Sequence, residues 1–341
     1  MPRVRKNLTQ LLTFAAIAFF AFAGAGADYL GAKQFELSKN VHGIHFQITV
    51  FQSGLKLSAL RPAVEKAFAA MKESMDRLDK DGSEGALALN AAEYELVEEA
   101  VRFSEITNGA YDPTSGALRE LWRQAKLSAT PPTQEASDAA KAASGIANLD
   151  FNAASKFVQT TKPGLKLDLR DLAEGFALDV AADSLKKSGV RSAVISSDTA
   201  ILCVGEPEAG KAWRVAIEHP RTIEDQAAVL EIPKASAVAT IGDYEDFFMY
   251  KGKRYTEAVD PRTGRQPKAA LASVTAIAPN AAFAKVLART FFVMGSEDGF
   301  RLVETLKEDG AEVVSLEEDR PDHFNLGSSE GARPAIKEIN L

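Results

Sequence analysis

From Ser192 to Ala278 the chain reads as one short strand after another, with helical segments grouped before and after that run. The candidates are Ser192 to Ile195, Ala200 to Val204, Trp213 to Ile217, Ala228 to Ile232 and Ala237 to Thr240. Phe247 to Tyr250 and Tyr255 to Val259 then flank Lys251-Gly252-Lys253-Arg254, a hairpin signal, and Ser273 to Ala278 closes the run. Strands in succession, with helices set apart from them, predict an α+β layered domain rather than a doubly wound sheet.

The flanking segments carry the helical period. His45 to Phe51 alternates, with Phe46, Ile48 and Val50 on one face, and reads as a strand. Pro62 is expected to open a helix whose single apolar stripe is Val64, Phe68, Met71, Met75 and Leu78. A second helix is predicted from Ala91 to about Thr107, with Asn108-Gly109 as a left-handed cap. Ser128 to Asn148, rich in Ala, Pro, Thr and Ser, reads as a surface excursion with one short helix. Leu172 to Ser188 is a helix closed by Gly189; Asn280 caps another, to about Phe292, and a last one runs from Glu297 to Lys307. Asp260-Pro261-Arg262-Thr263-Gly264 is a turn, with proline presetting φ and glycine permitting a positive one.

The first 27 residues differ from the rest. Arg3, Arg5 and Lys6 precede an apolar run from Leu11 to Ala23, and Ala25-Gly26-Ala27 follows the small-x-small cleavage pattern. This is the pattern of a secretory signal peptide, so an exported, periplasmic or cell-envelope protein is expected. The run is shorter than the ~20 residues a span needs, so no stable membrane span is expected. No cysteine follows it, which argues against a lipoprotein. Residues 28–341 are then expected to form a single domain.

Cleavage removes three of the 40 basic residues and none of the 47 acidic ones, taking the net charge from −7 to −10. That balance argues against nucleic acid as a partner. One cysteine, Cys203, allows no internal disulfide. Its apolar surroundings mark it as a buried core thiol. One Cys and four scattered His do not make a zinc site.

Six segments, in order, resemble those of the FAD:protein FMN transferases, the ApbE-type flavin transferases. They are Ser83-Glu84 with Asn90; Gly109-Ala110-Tyr111-Asp112-Pro113-Thr114 with Leu118 and Trp122; and Leu167-Asp168-Leu169 followed by Ala173-Glu174-Gly175-Phe176-Ala177-Leu178-Asp179. The others are Thr240, Gly242, Asp243 and Tyr244; the Asp260 to Gly264 turn; and Ala284 to Gly295. The resemblance runs over about residues 42 to 320. It implies the family's fold, with mixed or antiparallel sheets and packed helices. It implies FAD and Mg²⁺ as cofactors, cleavage of the FAD diphosphate, and transfer of FMN to a Thr or Ser of a partner flavoprotein.

Carried onto this sequence, the resemblance assigns flavin contacts to Ala110, Tyr111, Asp112, Asp168, Glu174 and Ala258. Tyr111 would stack on a ring system and Asp112 would accept hydrogen bonds from it. Taken alone, the same pair reads as a core tyrosine and a local turn cap. Glu174 stands where many relatives carry Lys. The family's metal ligands, an Asp and a Thr four residues on, correspond to Lys285 and Arg289, and neither cation can ligate Mg²⁺. No metal ligand is therefore assigned. Lys285 and Arg289 are expected either to form a solvated basic edge or to hold the diphosphate directly. Thr290 falls one residue late for that helix face.

The family's catalytic His corresponds to Glu257, a base near neutral pH only if its surroundings raise its pKa. Ser196-Ser197-Asp198-Thr199-Ala200 stands where relatives have Gly-Gly-Asp, Arg170-Asp171 replaces a small pair, and Ile241 replaces a Ser. Asp112 to Leu118 also resembles the acceptor motif that such enzymes modify, but Leu118 has no hydroxyl to accept FMN. Two functions follow as alternatives: an enzyme that binds FAD and transfers FMN, or a catalytically degenerate relative that binds flavin or a partner.

Overall fold

The computed structural model describes residues 35–78, 86–208, 210–222, 225–232, 235–267 and 271–341. The predicted signal peptide, Ser83 and Glu84 lie outside them.

The chain starts with an antiparallel pair, β1 (Phe35–Val41) and β2 (Ile44–Ser53), then α1 (Leu57–Leu78), the short β3 (Ala86–Ala88) and α2 (Ala91–Ile106). The helices α3 (Gly116–Ser128) and α4 (Gln134–Ala142) lead to a small pair, β4 (Leu149–Asn152) and β5 (Phe157–Thr160), and then α5 (Arg170–Lys187). The strand-rich stretch follows: β6 (Val190–Ser196), β7 (Ala200–Val204), β8 (Trp213–Glu218), β9 (Gln226–Ile232), β10 (Ala237–Gly242), β11 (Phe247–Tyr250), β12 (Lys253–Thr256) and β13 (Leu271–Ala278). The last elements are α6 (Ala281–Met294), α7 (Ser296–Thr305), β14 (Glu312–Arg320), β15 (His323–Ser328) and β16 (Ile336–Ile339).

Eight strands form one sheet in the order β1-β2-β6-β7-β10-β13-β14-β15, and every neighbouring pair is antiparallel. This is the α+β architecture that the strand succession predicts. Strand alternation sends side chains to two cores. On one face Phe46, Ile48, Ala193, Ile195, Leu202, Ala239, Val274 and Ala276 meet the apolar sides of α1, α5 and α6. On the other, Val194, Cys203, Val238 and Ile277 meet the three-stranded sheet β16-β9-β8 through Trp213, Val215 and Leu230. The molecule is therefore a helix layer, a central sheet and a smaller sheet. Cys203 is a buried thiol of the second core, and burial pushes its pKa up to about 12.

Local chemistry explains the observed boundaries. Val64, Phe68, Met71, Met75 and Leu78 are all buried along α1, as the stripe predicts. Pro62 does not open that helix; it lies inside, five residues after Leu57. Both Pro62 and Ser58, whose carbonyl its ring leaves without a donor, are exposed, so the missing bond falls on the solvent side of the helix. Asn90 caps α2 in a reciprocal capping box with Glu93, and Asn108 and Gly109 both take positive φ at its exit. The hairpin turn is only Lys251-Gly252, both at positive φ, so β12 starts at Lys253 rather than Tyr255.

Among the described residues, no helix is long and apolar enough to cross a membrane.

Candidate functional site

The site is built where α5 crosses α6. Gly175 permits this crossing: a Cβ there would meet the Ala281 carbonyl oxygen and the Ala282 Cα at 2.5 Å. Asp179, one turn on, accepts the Ala281 and Ala282 N–H groups at 2.8 and 3.0 Å, and Asn280 caps Phe283 N–H at 2.8 Å. The start of α6 is thus pinned to α5, and Lys285 and Arg289, one turn apart, face Asp171 and Glu174.

These four residues are joined by three ion pairs. Lys285 Nζ lies 3.0 Å from Glu174 Oε2 and 3.5 Å from Asp171 Oδ1. It also donates to Thr199 Oγ1 at 2.5 Å. Arg289 pairs with Asp171 at 3.0 Å and donates to the Glu257 carbonyl oxygen at 3.2 Å. Glu174 also accepts from Ser197 Oγ at 2.6 Å and Thr199 Oγ1 at 3.0 Å. Lys285 is 8% exposed and Glu174 5%, so the expectation of a solvated basic edge fails. Lys285 stays charged because it is paired: burial opposes its charge, and Glu174 and Asp171 raise its pKa. Burial also pushes Asp171 up, but Arg289 and Lys285 outweigh it and hold the carboxyl far below its usual range.

Beside this network lies a narrow cleft lined by Ala110, Tyr111, Asp112, Asp168 and Arg289, with Ser115, Asp171, Val259 and Pro261 completing the wall. Its water-sized free space is about 20 Å³, room for roughly one water. Five of the predicted site residues therefore meet in one cleft. Glu174 and Lys285 stand behind it, and Ala258 is buried in the core. The Glu257 side chain is not part of the cleft wall. Its carboxyl is 4.0 Å from Lys126 Nζ, and desolvation, followed by the charge of Asp246, raises its pKa.

Tyr111 and Asp112 fill the local roles that the residues alone suggest, and retain polar capacity as well. Tyr111 is buried and meets Phe103 edge-on at 5.9 Å, while its hydroxyl has no partner among the described residues. Asp112 Oδ1 accepts from Thr114 N–H at 2.8 Å and Thr114 Oγ1 at 2.5 Å. Burial raises the Asp112 pKa. Asp168 is held by Arg119 at 3.1 Å.

Magnesium does not fit the positions that the resemblance assigns to it. An ammonium and a guanidinium stand there, without lone pairs to donate. Among the described residues no group of three or more His, Cys, Asp and Glu could hold a metal ion. Sequence reasoning noticed Asp171 and the Ser197–Thr199 loop as departures but missed their function as partners. The available signal was charge complementarity: two acids at a three-residue spacing on one helix, two bases at a four-residue spacing on another.

Comparison with known proteins gives one family. The ApbE family model matches residues 42–314. The FAD:protein FMN transferase of Vibrio cholerae (serotype O1, strain O395) is 33% identical over 291 residues, covering 80% of this chain and 85% of that protein. The FAD:protein FMN transferase of Klebsiella pneumoniae is 31% identical, covering 67% of this chain and 65% of that protein. The crystal structure of the ApbE protein of Thermotoga maritima superposes with a TM-score of 0.74 at 26% identity, covering 89% of this chain and 99% of that one. The flavin transferase ApbE of Vibrio cholerae gives 0.71 at 26% identity, covering 88% and 98%.

Proposed function

This chain belongs to the ApbE family, and on that premise we propose that it is an exported flavin-binding member that works without a divalent metal and does not transfer FMN by a metal-assisted route. The observation that carries this reading is Lys285: a buried, paired ammonium occupies the position where the resemblance expects a metal-binding carboxylate. FAD is the ligand, since the relatives are FAD:protein FMN transferases and the cleft joins an unpartnered tyrosine hydroxyl, carboxylates and one arginine. Tyr111, Asp112 and Asp168 serve the flavin end, and Arg289 meets the anionic end. At about 20 Å³, the cleft has to widen to admit the ring system. Export rests on the signal-peptide pattern of residues 1–27, and N-terminal sequencing of protein from the cell envelope tests it.

A second reading keeps transfer to a Thr or Ser of a partner flavoprotein, with Glu257 as the base. Its support is the raised pKa of Glu257, which brings the carboxyl closer to a base's working range.

One experiment separates the two. The mature protein is incubated with FAD, with and without Mg²⁺, together with a peptide bearing the acceptor motif, and the peptide is weighed. FAD binding unchanged by EDTA, with no mass gain, is the expected result. An FMN mass increment that Glu257→Ala abolishes would establish the enzyme instead. Failure to bind FAD at all would overturn both readings.

A further inference from the structure

Three oxygens converge on the Lys285 ammonium: Thr199 Oγ1 at 2.5 Å, Glu174 Oε2 at 3.0 Å and Asp171 Oδ1 at 3.5 Å. Two of the ammonium's three N–H groups are spent on hydrogen bonds to Thr199 and Glu174, and Asp171 adds an ion pair. The two carboxylates are also held at their other oxygens. Ser197 and Thr199 hold the other oxygen of Glu174, and Arg289 holds the other oxygen of Asp171. Two carboxylates and a hydroxyl are also the donor set a hard divalent cation takes, with waters completing its shell.

We infer that Lys285 is a tethered internal cation, filling an oxygen cage formed by Asp171, Glu174 and Thr199 that accepts a divalent ion only when the ammonium is removed. The charges support this. With Lys285 and Arg289 present, the two carboxylates are balanced; without Lys285, one negative charge remains in a buried site. The inference rests on the metal-free reading above but concerns metal alone, so its test contains no flavin.

The test compares the native protein with Lys285→Ala and Lys285→Met. Alanine empties the cage, whereas methionine keeps it filled without charge. Thermal unfolding is followed with Mn²⁺, with Mg²⁺ and with EDTA, and bound Mn²⁺ is read by electron paramagnetic resonance. The native melting temperature should not move with any of the three. Lys285→Ala should melt lower, regain several degrees with Mn²⁺ and show the bound-ion spectrum. Lys285→Met should melt lower and recover nothing. If Lys285→Ala is unfolded when metal-free, circular dichroism with Mn²⁺ added replaces the melt, and metal-driven folding supports the inference. A native protein stabilised by Mg²⁺ or Mn²⁺ would overturn it. So would a Lys285→Ala protein that neither binds nor folds with Mn²⁺, or a Lys285→Met protein rescued as fully as Lys285→Ala.

Discussion

The two ends of the cleft differ in how much hydrogen-bonding capacity they leave for a ligand. At the Tyr111 end a buried hydroxyl has no partner among the described residues, and Asp112 uses one carboxylate oxygen for a local turn. At the Lys285 end Lys285, Arg289, Asp171 and Glu174 are each paired with an opposite charge. The first end is arranged to receive something; the second is complete by itself. A buried polar group without a partner costs free energy, so the first arrangement gains from any group that can pair with the hydroxyl. The second is satisfied by its own ion pairs.

The largest effect is expected where the network is complete. Lys285→Met leaves Glu174 as a buried charge without its counterion, and removing one partner of such a pair costs about 3–5 kcal/mol. Denaturant unfolding measures it. Replacing both partners, as Glu174→Leu with Lys285→Met, should recover most of the loss, because Asp171 keeps Arg289. If Lys285→Met alone were neutral, the Lys285 end would hold no buried charge pair and the contrast between the two ends would vanish.

Arg289 lies at the boundary, since it lines the cleft and also closes the network. Arg289→Ala should weaken FAD binding about tenfold or more, the scale of a lost charge-assisted hydrogen bond, and leave riboflavin binding unchanged because riboflavin has no phosphate. Calorimetry with both ligands reads the difference. Equal losses for both would place Arg289 at the ring system instead.

How much of this was legible beforehand follows the distance over which each feature is decided. The α1 stripe, the Asn280 cap and β7 are fixed by neighbours in sequence and emerge directly from it. The helix α3 is not among the predicted elements, because its buried apolar face is only Leu118, Trp122 and Ala125, too few positions to set a helical period apart. The strands β1 and β14 were missed for a physical reason. β1 is an edge strand with alternate residues partly exposed, and β14 ends in Glu317-Glu318-Asp319-Arg320; pairing defines both better than composition does. In the site, the substitutions at 174, 285 and 289 were plain, but their compensation was not. Glu174 and Lys285 are 111 residues apart, and only the α5–α6 crossing at Gly175 joins them.

A pH dependence sharpens the contrast further. Burial pushes the Glu245 carboxyl from 4.5 up to about 8, against the pull of Lys285 and with the help of Glu218 and Glu174. Its folded pKa is raised, so the native state keeps a proton that the unfolded chain releases between those values. Stability should therefore fall as pH rises through 4.5 to about 8, by up to about 5 kcal/mol. Glu245→Gln should flatten that part of the curve. Asp171 acts with the opposite sign: its folded pKa is depressed, so its contribution is present at neutral pH and is lost in acid as pH falls below its ordinary 3.8. A Glu245→Gln protein with the native slope would remove Glu245 as the source.

The smallest effect tests the open end. Tyr111→Phe deletes only a hydroxyl that has no partner among the described residues and keeps the ring against Phe103. Without ligand the variant should be more stable by about 1 kcal/mol, the penalty of burying an unpaired hydroxyl. With FAD the sign should reverse, and affinity should fall a few-fold, because the ring system loses a hydrogen-bonding group placed to meet it. Stability gained alone and affinity lost in the complex would identify a group kept for its ligand. Stability lost in both states would mean that the hydroxyl is satisfied within the protein, and the Tyr111 end would then be as closed as the Lys285 end.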